Sequence, residues 1–364
     1  MNKDLLTKES SQQLALLKLC ACIGVVYIHS YMVHFNYFTI NSESLPLVYY
    51  VQTILSQYIA RVAVPVFFAV SGYIYAAKQY SDNNWQFFCR KVRGILWPYL
   101  LWNSITLGYI FLAQIPGDFR RYFSAHLLIS DFTAARWGEA YAGWSNSWFP
   151  FLYPLWFMPY LFAAFLLVHF MRKWLSRATW PIAVLTIFNI VFASVICIRT
   201  YLVSWGPFLR LLYAVSFFTL GMLLVRYQQS IRKKSTLFIG IGVFIAATVI
   251  DLIGWTPSIK WNMLAWYAGL IVMFSLTGRI GKCSEKFRSN MVFFSGFSFL
   301  IYVAHEYMLT GITKLIYPAI PANSFYILAV YLFLPVVLIS VLITGGWALK
   351  KLLPKLYDFL FNAR

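Results

Sequence analysis

Apolar runs of about 18 to 22 residues recur along this chain, parted by short basic or polar segments, and runs of that length cross a bilayer as helices. Inside lipid every backbone N–H and C=O must find a partner within the protein, and a helix provides this segment by segment. The expected fold is all-α: a polytopic integral membrane protein, a bundle of about ten transmembrane helices. Spans are expected at 14–35, 50–76, 95–113, 151–171, 180–198, 208–225, 236–254, 262–278, 293–313 and 324–346. The eighth is short and rich in Trp and Tyr, and reads as partly re-entrant. Of the 364 residues, 61% are hydrophobic and 11% charged, about half the charge of an ordinary soluble domain. No stretch of mixed charge is long enough for a separate soluble domain, so residues 1–364 read as one transmembrane domain.

The net charge of +19 does not point to nucleic acid, because the basic residues form neither one face nor one tail. They lie in short loops, where they report topology. An even number of spans puts both termini on one side. Of the 30 Lys and Arg, 21 fall on that side, seven on the other, and two, Lys18 and Arg61, within spans. The excess marks the cytoplasm, so both termini are expected there. The first run lacks a small-residue cleavage site and reads as a retained first helix, not a secretory signal. Cys20, Cys22, Cys89, Cys197 and Cys283 are dispersed, without a CxxC pair, and indicate neither a metal site nor a disulfide framework.

The longest connection, about residues 114–150, is expected outside. It holds Asp118, Asp131, Glu139 and His126 and leads into the aromatic run WSNSWFPFLYPLWF. Such a surface suits a carbohydrate, whose rings pack on aromatics while its hydroxyls need acceptors. An interfacial aromatic belt explains any one of these residues equally well.

Ionisable groups within the apolar runs carry the functional signal, because each is expensive in lipid. His29 sits in LALLKLCACIGVVYIHSYMVHF with Lys18 eleven residues before it. Eleven residues return to nearly the same helix face, about 16 Å further along. A cationic anchor near one surface and a base or nucleophile deeper in suit an enzyme that handles an anionic substrate. His34 reads as a surface histidine and Asp251 as interfacial. Arg61 enters the second span and needs a carboxylate, a cavity or carbonyls; Pro65 and the Ser71-Gly72 pair follow it. In the ninth span His305 and Glu306 are adjacent, about 100° apart on a helix. One is expected to face the site and the other to pair elsewhere, with Arg61 as a counter-ion for Glu306. GxSxG, a Walker loop, HExxH and paired Cys ligands are all absent, which weighs against soluble hydrolase, ATPase and zinc chemistries.

Four segments resemble the acyltransferase-3 family of bacterial membrane proteins, which O-acylate surface carbohydrates and related acceptors. They are Lys18-x10-His29, where the family more often begins with Arg; Arg61 in RVAVPVFFAVSGY; SFLIYVAHEYML at 298–309; and, more weakly, LWFMPYLFAAF at 155–165. The resemblance implies transfer of an acyl group, commonly acetyl, from a cytoplasmic acyl-CoA to a hydroxyl of an extracytoplasmic or lipid-linked glycan. It implies a multi-pass protein of the bacterial cytoplasmic (inner) membrane. The donor, acetyl-CoA or another acyl-CoA, is a substrate, and no permanently bound cofactor or metal is expected. The family's essential histidine maps onto His29 and its companion basic residue onto Lys18. Lys in place of Arg gives up bidentate geometry but keeps a point-charge contact to phosphate.

His29 is expected to act as general base on the acceptor hydroxyl, with acylation of the histidine itself as the alternative. Arg61, Ser71 and Tyr73 are candidate oxyanion donors; His305 and Glu306 are supporting candidates. Lys18, Arg61 and His29 are expected to line one cavity open toward the cytoplasm. Partners are the acyl-CoA, the glycan acceptor and membrane lipids, with a second copy of the chain or a polysaccharide-assembly protein compatible and nucleic acid excluded. Without a fused catalytic domain, the chain is expected to finish the transfer itself or hand it to a separate partner. The rival reading is a transporter or flippase of lipid-linked glycans, whose mark would be an internal repeat with broken helices in both halves. Pro65 and Pro335 do not supply it.

Overall fold

The computed structural model describes residues 6–31, 38–78, 83–114, 152–175, 180–196, 206–254 and 261–361. His34, Cys197 and nearly all of the long 114–150 connection lie outside the described residues. Helices dominate and no strand occurs among the described residues. The long helices are α1 (Lys8–His29), α2 (Pro46–Lys78), α3 (Asn84–Lys91), α4 (Trp97–Gln114), α5 (Phe157–Phe170), α6 (Trp180–Ile196) and α7 (Gly206–Arg226). They continue with α8 (Lys234–Leu252), α9 (Asn262–Thr277), α10 (Glu285–Ser295), α11 (Ser298–Ile316), α12 (Ser324–Leu352) and α13 (Pro354–Phe361).

Among the described residues seven helical segments are long and apolar enough to cross a membrane, and the count becomes eight if α10 and α11, bent by 56° at their junction, form one span. The chain is therefore a multi-pass membrane protein, but ten spans are not reached among the described residues. The run 95–113 forms a continuous helix, but Trp97-Pro98-Tyr99 at its start and Asn103 and Ser104 within it lower its apolar character. The run 180–198 yields a shorter apolar helix, Trp180–Phe192. The eighth run, read as partly re-entrant, is a regular helix of 16 residues. The ninth is broken, with Gly296 between its two pieces.

Local chemistry sets the breaks. Thr7 caps α1 by accepting a hydrogen bond from the Ser10 N–H, which satisfies one of the orphan donors of a helix start. Within α2, Thr53–Ile59 form a π turn and Ala60–Val62 a 3₁₀ turn before the α-helix resumes at Ala63. Pro65 has no N–H for the carbonyl four residues earlier, that of Arg61, so the switch falls where the ordinary ladder cannot continue. A second π turn, Val92–Leu96, precedes Pro98 in the same way.

The core is built where small residues let helices meet. A Cβ on Gly72 would stand 1.8 Å from the Phe218 carbonyl oxygen, and one on Gly221 would stand 2.0 Å from that of Ala69, so α2 and α7 touch backbone to backbone. This close approach is the packing expected of small residues in membrane bundles. At Gly24 a Cβ would meet the Ala60 oxygen and the Ala63 Cβ, both at 3.1 Å. Gly24 thus lets α1 lie against the irregular turn that carries Arg61. α8 and α12 form the periphery, with Phe238, Ile239, Phe333 and Val337 more than half exposed, as lipid-facing helices should be.

Candidate functional site

His29 is the last residue of α1 and half-buried. α11 packs against α1 and brings two side chains to it. Glu306 Oε1 lies 3.9 Å from His29 Nδ1. The His305 ring meets the His29 ring edge-on, with centroids 5.0 Å apart. The expectation that His305 and Glu306 would part company is thus corrected. His29 sits where it reaches both, because a ring against a helix spans the 100° between neighbouring positions. Arg61 is not the counter-ion of Glu306: its Nε donates to Gln57 Oε1 at 3.1 Å.

His305 is fully buried. Its Nδ1 lies 3.0 Å from the Ile301 carbonyl oxygen, which can only accept, so Nδ1 carries the proton. Nε2 is then a bare acceptor, buried and without a hydrogen-bond partner among the described residues. Buried polar atoms are nearly always paired, so an orphan nitrogen beside another imidazole makes this corner a candidate for chemistry.

Tyr153 ties this group to the cations. Its ring lies edge-on to His29 at 6.0 Å, and its hydroxyl is within electrostatic range of Arg61, Arg210 and Glu306. Tyr31 and Tyr213 are also within electrostatic range of Arg61. Arg210 is 8% exposed and lies over the Trp156 ring at 5.7 Å. Neither Tyr153 nor Arg210 is singled out by the sequence. Tyr153 is hidden in an aromatic run that reads as an interfacial belt. Arg210 counts there as a loop cation, although it stands two residues inside the run 208–225, the one signal that could have revealed it.

The remaining candidates do not join the group. Ser71 Oγ donates to the Phe67 carbonyl of its own helix at 2.8 Å. Tyr73 OH faces Ser10 Oγ at 3.5 Å, near the other end of α1, about 28 Å from His29 at 1.5 Å per residue. The oxyanion roles of Ser71 and Tyr73 are therefore withdrawn. Lys18 is half-buried, one turn before Cys22 and eleven residues before His29. The four described cysteines, Cys20, Cys22, Cys89 and Cys283, are free. Asp251 does not stand alone at the interface: it accepts from Tyr58 OH at 2.7 Å and from the Trp261 N–H at 3.0 Å, which fixes the end of α8.

A carboxylate beside one imidazole and a bare ring nitrogen on another can move a proton. A family model described as an acyltransferase domain matches residues 12–345. The chain belongs to the acyltransferase-3 family. Acyltransferase activity follows from that membership, and it favours the acyl-transfer reading over the transporter or flippase. The match runs from the first turns of α1 through most of α12, so it takes in all the residues gathered around His29. Among curated proteins and among solved structures, no match to this chain is found.

Proposed function

We propose that the protein transfers an acyl group, in the first instance acetyl, from a cytoplasmic acyl-CoA to a hydroxyl of an extracytoplasmic or lipid-linked carbohydrate. The observation that carries this reading is the meeting of His29, Glu306 and His305 at the end of α1, eleven residues beyond Lys18. As general base, His29 takes the proton of the acceptor hydroxyl as its oxygen attacks the thioester carbonyl. The C–S bond breaks, the coenzyme A sulfur leaves, and the proton passes from His29 to it. Glu306 stabilises the imidazolium as it forms, the part a carboxylate plays beside a catalytic histidine. His305 holds a fixed tautomer and supplies an acceptor beside that ring. Lys18, about 16 Å back along α1, is placed to hold a phosphate of the donor while its acyl end reaches His29.

The proposed setting is the bacterial cytoplasmic membrane with both termini inside. The cations around the start of α1 support it: Arg232 pairs with Glu9 at 3.1 Å, and Lys8 lies 4.0 Å from Glu285. These belong to the basic side of the chain. Membranes holding the protein, incubated with radiolabelled acetyl-CoA, should yield labelled glycan that is missing from a knockout and from the His29→Ala protein. Equal labelling in all three would end the proposal.

A further inference from the structure

The backbone around Tyr153 is irregular and enclosed. Tyr153–Trp156 form a 3₁₀ turn ahead of α5, in which Leu152, Pro154 and Leu155 are buried while Tyr153 is 41% exposed. Buried backbone outside a regular helix must find its hydrogen-bond partners elsewhere in the protein. The Leu155 N–H is met locally, by the Leu152 carbonyl at 2.9 Å, and Pro154 has no N–H to satisfy. Two side chains from other helices meet the groups on either side of Tyr153. Asn103 of α4, fully buried, accepts from the Leu152 N–H through Oδ1 at 3.3 Å. Its Nδ2 donates to the Tyr99 carbonyl of its own helix at 2.8 Å, which fixes the amide. Tyr302 of α11, also buried, donates its hydroxyl to the Pro154 carbonyl. The Tyr302 ring stands edge-on to Phe67 and Phe157, with centroids 5.6 and 5.1 Å away, so packing sets the direction of that hydroxyl.

The residue held between these two contacts is one that meets the candidate base. The Tyr153 ring lies edge-on to His29 at 6.0 Å, while Glu306 and His305 approach the same imidazole from α11. His29 is the last residue of α1, where the regular helix stops, so neighbouring side chains set the direction of its ring. Resting on the acyl-transfer reading above, we propose that Asn103 and Tyr302 are positioning residues for the transfer: they seat the turn that holds Tyr153 against His29. Tyr153 then braces the imidazole toward the acceptor hydroxyl. A purely structural clamp needs the two backbone bonds but has no use for a half-exposed ring at position 153. That ring against His29 gives the clamp its functional end. Placement of this kind carries weight, since a misplacement of about 1 Å can cost on the order of 10²-fold in rate.

The test compares purified full-length wild type, Tyr302→Phe, Asn103→Leu, Tyr153→Leu and the Tyr302→Phe/Tyr153→Leu double variant in detergent. Coenzyme A release from acetyl-CoA should fall about tenfold in kcat in Tyr302→Phe and in Asn103→Leu, since each deletes one buried hydrogen bond to the turn. KM for acetyl-CoA should hold. Tyr302→Phe keeps the ring and its packing, and decides the matter if Asn103→Leu fails to fold. In the double variant Tyr302→Phe should add nothing to Tyr153→Leu, because the hydroxyl acts through that ring. An unchanged rate per folded molecule in Tyr302→Phe, or a double variant slower by the product of the single effects, would overturn the proposal. A second readout needs no turnover. Diethyl pyrocarbonate acylates neutral imidazole nitrogen, and its reaction with His29 is followed by mass spectrometry of the peptide that carries it. Tyr302→Phe should shift that rate severalfold, toward the rate in Tyr153→Leu; a rate equal to that of wild type would overturn the positioning role. Wild type that releases no coenzyme A would remove the acyl-transfer reading, and the modification rates would still decide whether the turn positions His29.

Discussion

The two ends of α1 hold polar clusters of opposite character. At the first turns, charges are met. Glu9 pairs with Arg232 at 3.1 Å, Arg279 donates to the carbonyl oxygens of Ser275 and Arg232, and Gln13 Nε2 donates to the Phe274 oxygen at 3.0 Å. Gln13 Oε1 and Arg232 Nε are left over among the described residues, but the Arg232 guanidinium is still neutralised by Glu9. At the last turn, ionisable side chains gather without a tight ion pair between them. His29 has its carboxylate at 3.9 Å, beyond a normal hydrogen bond. Among the described residues His305 Nε2 has no hydrogen-bond partner, and the side-chain hydrogen bond of Arg61 goes to a neutral amide. The first cluster ties helices together through a close ion pair and backbone contacts, whereas the second gathers a carboxylate and a second imidazole around His29, an arrangement suited to moving a proton.

If that contrast is right, substitutions at the far end should change turnover and those at the near end should change stability. The largest effect is expected from His29→Ala, which should lower coenzyme A release by about 10²- to 10⁴-fold, the usual worth of a positioned acid or base. Detergent-extracted variant should elute as the wild type does, because His29 is the last residue of its helix; a rate within a few-fold of wild type would break the contrast outright. Glu306→Gln keeps shape and loses charge. It should cost about 10- to 100-fold in rate, as removal of a contact to a charged group does, with the same thermal midpoint.

Gly72→Ala belongs to neither end and probes the scaffold. Its new Cβ would meet the Phe218 carbonyl at 1.8 Å, forcing α2 from α7 at a cost of about 1–3 kcal/mol or more. Thermal unfolding in detergent should show the loss, while the rate per folded molecule holds. The smallest effect is expected at the near end. Glu9→Gln breaks a pair whose side chains are 42% and 32% exposed, which should cost at most about 1 kcal/mol. Turnover should not change. A larger kinetic than thermal effect there would show that the first turns of α1 belong to the site as well.

Much of the site is legible in the sequence, because an ionisable residue in an apolar run has few structural excuses. His29, Arg61, His305 and Glu306 stand out for that reason. Their arrangement does not. The 100° step between His305 and Glu306 argues for separate partners, and only the docking of α1 on α11 shows one ring meeting both. Ser71 and Tyr73 look like neighbours of Arg61, yet ten to twelve residues of helix carry them toward the opposite end, to Phe67 and Ser10. The fold class follows from the apolar runs, but the count of ten is not confirmed among the described residues. Asn103, the aromatic opening of α4 and the short apolar part of α6 leave seven or eight segments fit to span. Tyr153 and Arg210 are concealed by company, one among aromatics and one among the basic residues used to set topology.

The claim that most needs testing is that His29 and Glu306 act as a unit. Coenzyme A release by purified, reconstituted wild type, His29→Ala, Glu306→Gln and the double variant forms a closed cycle that measures their coupling. The account predicts that Glu306→Gln, costly alone, adds nothing once His29 is gone, so the double variant turns over at the rate of His29→Ala. A double variant slower by the product of the two single effects would mean that the two residues act independently, and would contradict it.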